Sequence, residues 1–274
     1  MILITYSRMD VAGTNIAKQV LIHFQFKRTT EVFLESPVYS AEIDGKNLNL
    51  ITLKGETVNA QNLPDHFTNV DLIVFLSRHS SQSGKPTLSV HTPGNFGNAE
   101  LGGLSRKVSV APATAMRDAL KALLKFKINM KLDYDVSYEC THHGPSLNVP
   151  TMFVELGSSL PQWNDLEAAE AVAKAAIDAS VKFHKPENSA VLGIGGTHYN
   201  QRFTQMAFND EAVFGHMIPK YALPLIDSGI LGQCVKQTLE NVSYAVLDWK
   251  GIRGEDKPRI LKMLNNINLS YVKV

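Results

Sequence analysis

The stretch "VDLIVFLS", residues 70–77, limits the possible folds more than any other part of the chain. It is too short to cross a bilayer and has no polar face to turn toward water. Such a segment is stable as a strand covered on both sides, the position of a central strand in a parallel sheet. "ILITY" (2–6) is a second run of this kind, and Ser7 to Asp10 then starts a helix over "AGTNIAKQVLIHF". Short apolar runs continue to alternate with helical patterns to the end of the chain. This alternation specifies an α/β protein with a mixed, mostly parallel central sheet and helices on both faces. At 274 residues, with no linker and no internal repeat, one α/β domain covering residues 1–274 is expected.

The remaining elements follow from local pattern. "YSAEIDGKNLNLITL" (39–53) reads as a hairpin turning at Asp44-Gly45. "PTLSVHT" (86–92) alternates and is placed beside strand 70–77. An amphipathic helix covers 112–130, with Ala115, Leu120, Leu123 and Leu124 facing inward. "YDVSYECT" is a strand running straight into His142, "TMFVELG" is another, and an Ala-rich helix extends from Asn164 to His184. "SAVLGIGGTHY", "AVFGHMIPKYAL" and "SYAVLDWKG" are strands with turns, "DKPRILKMLNNI" is a helix, and "SYVKV" closes the chain.

Composition removes several functional classes. Cys140 and Cys234 are too few for a disulfide framework and form no CxxC pair, which suits a reducing interior. No basic segment precedes an apolar core at the N-terminus, and no window holds eighteen apolar residues. A cytoplasmic protein without a membrane span is expected, and no obligate protein partner is evident. A net charge of +1 excludes holding nucleic acid by bulk electrostatics but allows a local basic groove.

The chain has nine histidines, and their placement is informative. His79 follows strand 70–77, His142 and His143 follow the strand "YDVSYECT", and His198 follows strand 189–194. Loops beyond strand carboxyl ends are where open α/β sheets bind ligands. His91 lies near the end of 86–92, and His216 lies within "VFGHMIP". His23, His66 and His184 fall on helix or loop surfaces.

"SYECTHHGPS" (137–146) sets Glu139, Cys140, His142 and His143 side by side. Successive strand side chains alternate faces, so both rings can serve one site only if the strand has ended. Gly144-Pro145 favours a turn there, because proline restricts the residue before it and cannot donate to a ladder. The pair suits a metal site or acid/base work; alternatively one ring packs. Glu139 is a supporter on a strand alternation that can place it on the far face, and Cys140 reads as a buried small apolar residue.

Two more segments carry chemistry. In "GIGGTHY" (193–199) the glycines permit a tight turn, and Gly195, Gly196 and Thr197 could present backbone donors to an anion or oxyanion. The spacing fits neither nucleotide-binding glycine motif. "SRHSSQSGKPTLSVHTPGN" (77–95) is a cationic, serine-rich loop suited to phosphate contacts through Arg78 and Lys85. Arg202 and Lys220 add charge near the same presumed face.

Taken together, "SRHSSQSGKPTLSVHTPGN", "YECTHHGPS", "GIGGTHYNQRFT" and "GHMIPKYA" resemble the signatures of the archaeal and plant type D-aminoacyl-tRNA deacylases. "SRMDVAGTNI" and "LDWKG" fit as well, so the resemblance spans essentially the whole chain. It implies a phosphorylase/hydrolase-like α/β fold similar to peptidyl-tRNA hydrolase. It also implies hydrolysis of the ester between a D-amino acid and the 3′ end of tRNA, with zinc dependence. On this reading His142, His143, His198 and Glu139 are the catalytic candidates, and His79, His142 and His198 the metal candidates. Arg78, Lys85, Gly195, Gly196, Thr197, Arg202 and Lys220 are the substrate-binding candidates. A peptidyl-tRNA hydrolase-like or phosphorylase-like enzyme is the alternative within enzymes. A non-catalytic RNA-binding protein is the alternative outside them.

Overall fold

The computed structural model describes residues 1–184 and 189–274. Strand β1 (Ile2–Ser7) leads into helix α1 (Val11–His23), whose first turn is capped by the Asp10 carboxylate accepting from the Gly13 N–H. β2 (Lys27–Phe33), β3 (Ser36–Ile43) and β4 (Lys46–Leu53) form an antiparallel meander. Asp44 and Gly45 both take left-handed φ values at its second turn, the geometry that matches the twist of a two-residue hairpin. β5 (Leu72–Arg78), β6 (Thr87–His91), α2 (Ala113–Met130), β7 (Asp135–Tyr138) and β8 (Thr151–Gly157) follow. After α3 (Leu160–Trp163) and α4 (Leu166–Lys182) come β9 (Ser189–Ile194), α5 (Gln201–Phe208), β10 (Phe214–Ile218) and α6 (Ser228–Lys236). β11 (Asn241–Leu247), α7 (Lys257–Asn266) and β12 (Tyr271–Lys273) complete the order.

The strands divide into two sheets. The larger has the order β2-β3-β4-β1-β5-β8-β6-β7, and the smaller, all parallel, has the order β10-β9-β11-β12. β5 is central, with β1 and β8 parallel on either side. β6 does not lie beside it, contrary to expectation. β8 inserts between them, parallel to β5 and antiparallel to β6. The reason is physical: all seven residues of β8 are buried, so it needs a neighbour on each edge and cover on each face.

Helices α1, α2 and α4 pack on one face of the large sheet, with α4 between the other two. Ala168, Ala171, Ala175 and Ala179 are fully buried on α4 and let neighbouring backbones approach closely. The opposite face is apolar around Leu3, Ile51, Phe75 and Phe153, where Leu63 and Leu147 from connecting segments cover it. The small sheet is covered on both sides. Leu231, Ile260 and Leu264 from α6 and α7 meet Leu192 and Leu247 on one side, and Phe203 from α5 joins the Val191, Phe214 and Val246 core on the other. Among the described residues no helix is long and apolar enough to cross a membrane.

Candidate active site

Strand register builds the floor of the site. Ser77 on β5 and Ser89 on β6 both lie beside Glu155 on β8, and His91 lies beside Phe153. Residues paired in register point to the same face, and so do residues two apart on one strand. Glu155 and His91 therefore share the face of Phe153, and the His91 ring stacks on Phe153 with centroids 5.0 Å apart. Because β6 and β7 run opposite to β8, the carboxyl ends of the strands lie at both ends of the sheet. Of the histidines that meet here, His79, His142, His143 and His198 stand in the loops that follow β5, β7 and β9, and His91 is the last residue of β6.

Glu139 is the centre of this cluster. Its side chain is fully buried, one carboxylate oxygen lies 2.9 Å from His198 Nε2 and 3.6 Å from His142 Nε2, and the other lies 3.2 Å from His79 Nδ1. The strand has ended by then: β7 stops at Tyr138 and Glu139 bridges to Tyr199. The far-face placement is thus replaced by convergence with the histidines. Burial alone would raise the Glu139 pKa, but hydrogen bonds from His198 and His79 outweigh it and hold the carboxyl well below its usual range.

The paired histidines are freed as the Gly-Pro turn suggested. His143 adopts φ +45°, so the chain reverses and the two rings come to 4.2 Å of each other on one side. Gly144 is required here because any Cβ would lie 2.2 Å from the Gly103 nitrogen. Each ring donates its Nδ1–H to a backbone carbonyl, His142 to Cys140 at 2.9 Å and His143 to Gly144 at 2.6 Å. Both Nε2 atoms are then bare. His91 Nε2 lies 3.2 Å from His143 Nε2, and His91 Nδ1 is buried without a partner. Whichever nitrogen of His91 carries the proton, one buried ring nitrogen is left unsatisfied.

That arrangement suits a metal. Ligand atoms of His91, His142 and His143 lie within 4.8 Å of one another, as do those of Glu139, His142 and His198, and those of His79, Glu139 and Glu155. A ring that gives its other N–H to a carbonyl is fixed in the tautomer that ligates. Burial, with repulsion from neighbouring rings, keeps His91 and His142 uncharged, and burial lowers His143 to about 4. Neutral imidazole is the ligating form.

His79 behaves differently. Burial would discharge it, but the Glu139 and Glu155 carboxyl oxygens 3.2 and 3.7 Å from its Nδ1 prevail and raise it to about 11, making it an imidazolium. Its Nε2 meets the Tyr199 hydroxyl. The structure thus groups His142 and His198 with Glu139, and sets His79 in a separate group with Glu139 and Glu155. Glu155, pushed up to about 8 by burial and by the charge of Glu139, is a protonated acid at neutral pH.

Two of the three backbone donors expected of the glycine turn are already engaged. The Gly195 N–H donates to Ile218 and the Gly196 N–H to Gly251, and a Cβ on Gly195 would lie 2.7 Å from Ile252. These glycines pack a turn in left-handed conformations, and Thr197 spends its hydroxyl on the Tyr199 carbonyl. Arg78 lines the cleft, with its guanidinium 3.1 Å from Glu56. Lys85 is paired with Asp135 at a separate, smaller hollow. Arg202 and Lys220 lie on the rim beyond Gly196, where the Lys220 N–H donates to the Gly196 carbonyl. Cys140 is buried, with burial pushing its thiol pKa up.

Two clefts meet at His142 and His143. One, about 490 Å³, is lined by Asp10, Glu56, Arg78, Glu155, His198 and Tyr199. The other, about 350 Å³, is lined by Phe96, Leu101, Tyr221, Ala222 and Leu225 among others. Sequence reasoning missed His91, Glu155, Tyr199 and Tyr221 as site residues. For Glu155 a signal existed: a lone carboxylate inside the otherwise apolar "TMFVELG" is rarely buried without a partner.

The site can now be set beside known proteins. A family model described as "D-aminoacyl-tRNA deacylase" matches residues 66–272. Proteins of that name from Thermococcus onnurineus and Pyrococcus furiosus are each 34% identical to the chain over 273 residues, covering 97% of both sequences. A crystal structure of a conserved protein of unknown function superposes with a TM-score of 0.86 at 29% identity, covering 100% of this chain and 95% of the other. On the strength of this family match and of relatives aligned end to end, the chain belongs to the D-aminoacyl-tRNA deacylase family.

Proposed function

We propose that this chain hydrolyses the ester joining a D-amino acid to the 3′ end of tRNA, with His198 as the base that activates water. The observation that carries this reading is the Glu139–His198 pair. A fully buried carboxylate takes the Nε2–H of His198 at 2.9 Å, which fixes the tautomer and leaves Nδ1 with a lone pair to accept a proton. The Tyr221 hydroxyl sits 3.0 Å from Nδ1. Tyr221 is 54% exposed, so water can take its place at the cost of one surface hydrogen bond.

Water gives a proton to His198 Nδ1 and its oxygen forms a bond to the ester carbonyl carbon. The tetrahedral intermediate then breaks its bond to the ribose oxygen, which takes the proton back from His198 Nδ1 and leaves as the tRNA hydroxyl; the new carboxyl group of the D-amino acid loses its proton to solvent and is released as the carboxylate. Tyr199 is the donor to the developing negative charge. The His79 imidazolium gives its Nε2–H to the Tyr199 oxygen, so the phenol's own proton is free to point into the cleft. Burial keeps the Tyr199 pKa above its ordinary value, so it stays a donor.

The donor set fits zinc, which takes imidazole and carboxylate ligands. The Nε2 atoms of His91, His142 and His143 would hold it, next to the Glu139–His198 pair. A zinc ion held there would supply Lewis acidity beside the Glu139–His198 pair. Glu139 arrives from β7 of the large sheet and His198 from the end of β9 of the small one, which supports residues 1–274 as one catalytic unit. Aminoacyl-tRNA as substrate supports a cytoplasmic location for the activity.

Tyr199→Phe is expected to lower kcat by roughly 100-fold, the scale of losing one oxyanion donor, with KM little changed. Single-turnover deacylation measures it. An unchanged kcat would remove Tyr199 from the mechanism.

A further inference from the structure

The small sheet ends in a basic rim that the chemistry at Glu139 and His198 does not use. Three loops form it and are tied together by backbone hydrogen bonds. The Asp248 N–H donates to Ile194 at 2.9 Å, the Gly196 N–H to Gly251 at 3.4 Å, and the Lys220 N–H to Gly196 at 2.9 Å. Arg202, Lys220, Lys250 and Arg253 stand exposed on these loops or beside them, and His198 follows Gly196 by two residues. The only acidic contacts on these four cations are loose: Arg202 to Asp248 and Arg253 to Glu255, both at 3.9 Å, among the described residues. Lysines on the helical side of the large sheet are instead neutralised at close range, as Lys121 is by Asp210 and Lys182 by Asp178, both at 2.6 Å. Beside the rim, Lys257 and Lys273 place their ammonium groups 4.5 and 3.9 Å from the centre of the Trp249 ring, extending the positive surface past β11.

We propose that this rim is where the helical stem of the RNA docks, with Lys250 and Arg253 on its phosphates and the terminal ester reaching His198. The inference rests on the deacylase reading and gives the substrate a direction: RNA enters over the small sheet. Charge complementarity and continuity with the catalytic cleft both favour it. The chain carries a net charge of only +1, so a cluster of exposed, at most loosely paired cations beside the cleft is a local feature, not a reflection of overall charge. Phosphate contacts of this kind position a nucleic acid without reading its sequence.

The test compares two substrates on wild type and on the Lys250→Glu/Arg253→Glu double variant. One is D-tyrosyl-tRNA and the other is the D-tyrosyl ester of adenosine, which has no phosphate. Both side chains are exposed, and an unchanged melting temperature will establish folding. The proposal expects the double variant to raise KM for the tRNA at least tenfold with kcat unchanged, and to leave turnover of the adenosine ester as in wild type. It also expects the log–log dependence of kcat/KM on salt to flatten by about two, since each lost phosphate contact removes about one unit of slope. A tRNA KM and salt slope equal to wild type would overturn it. If wild type turns over neither substrate, the deacylase reading itself fails, and this inference with it.

Discussion

Glu139→Gln is expected to reduce kcat by roughly 10³ to 10⁴-fold while leaving KM nearly unchanged, the scale seen when a carboxylate that orients a catalytic imidazole becomes an amide. The cause is tautomeric. A carboxylate only accepts, so it holds the His198 proton on Nε2 and leaves Nδ1 bare. The glutamine amide can present its NH₂ to Nε2 instead, which moves the ring proton to Nδ1 and removes the base. Stability falls less than activity. When Glu139 is neutral, Glu155 no longer feels its charge and ionises more readily, taking over as partner of the His79 imidazolium. A kcat within tenfold of wild type in the folded variant would show that His198 does not act through this pair.

His79→Ala is expected to have the larger effect on stability, a loss of about 3 kcal/mol in chemical denaturation at pH 7. Removing the imidazolium leaves the Glu139 carboxylate fully buried beside a second acid, with His198 and His142 as its remaining neighbours. An unpaired buried charge costs more than a lost surface pair. The pH dependence has a definite sign. The folded pKa of His79, about 11, exceeds the ordinary 6.5, so its stabilising contribution is complete below pH 6.5 and is lost as pH rises toward 11. Glu155 at about 8 is raised from 4.5, so the folded state keeps a proton that the unfolded chain has released, and stability falls as pH rises from 4.5 to 8. In His79→Ala the first of these losses disappears. A denaturation midpoint unchanged from wild type at pH 7 would mean that Glu139 does not carry the buried charge assigned to it.

Much of the fold was legible because it rests on period and turn chemistry. The two-sided burial of "VDLIVFLS" fixed β5 at the sheet centre, and Asp44-Gly45 fixed the second turn of the meander. Pairing was less accessible. Nothing in "PTLSVHT" or "TMFVELG" says that the later strand inserts ahead of the earlier one, since strand order depends on tertiary packing that local pattern does not encode. The division into two sheets was hidden for the same reason. β2 escaped notice because "KRTTEVF" is an exposed edge strand of mostly polar residues with little apolar alternation, and α6 because two glycines weaken its helical pattern.

The site was legible in residue type but not in role. Doubled histidines before Gly-Pro marked a turn, and the αL conformation of His143 is what that turn required. Histidine position alone could not tell a neutral ring from a charged one: His79 and His142 both follow strands. The difference comes from Glu139 and Glu155, which converge on His79 through sheet register. Of Gly195, Gly196 and Thr197, read together as donors, the two glycines turn out engaged, because a glycine turn can fold back on its own neighbours, and here their N–H groups go to Ile218 and Gly251.

The central claim is that this site hydrolyses D-aminoacyl-tRNA. Its most direct test is deacylation of D- and L-tyrosyl-tRNA side by side, using protein purified without a histidine tag, with and without a chelator. Hydrolysis of the D ester far above the spontaneous rate, an L ester left intact, and loss of D turnover on chelation that zinc restores are the predicted results. Equal rates on the two enantiomers, or a D rate no faster than in buffer, would contradict the account.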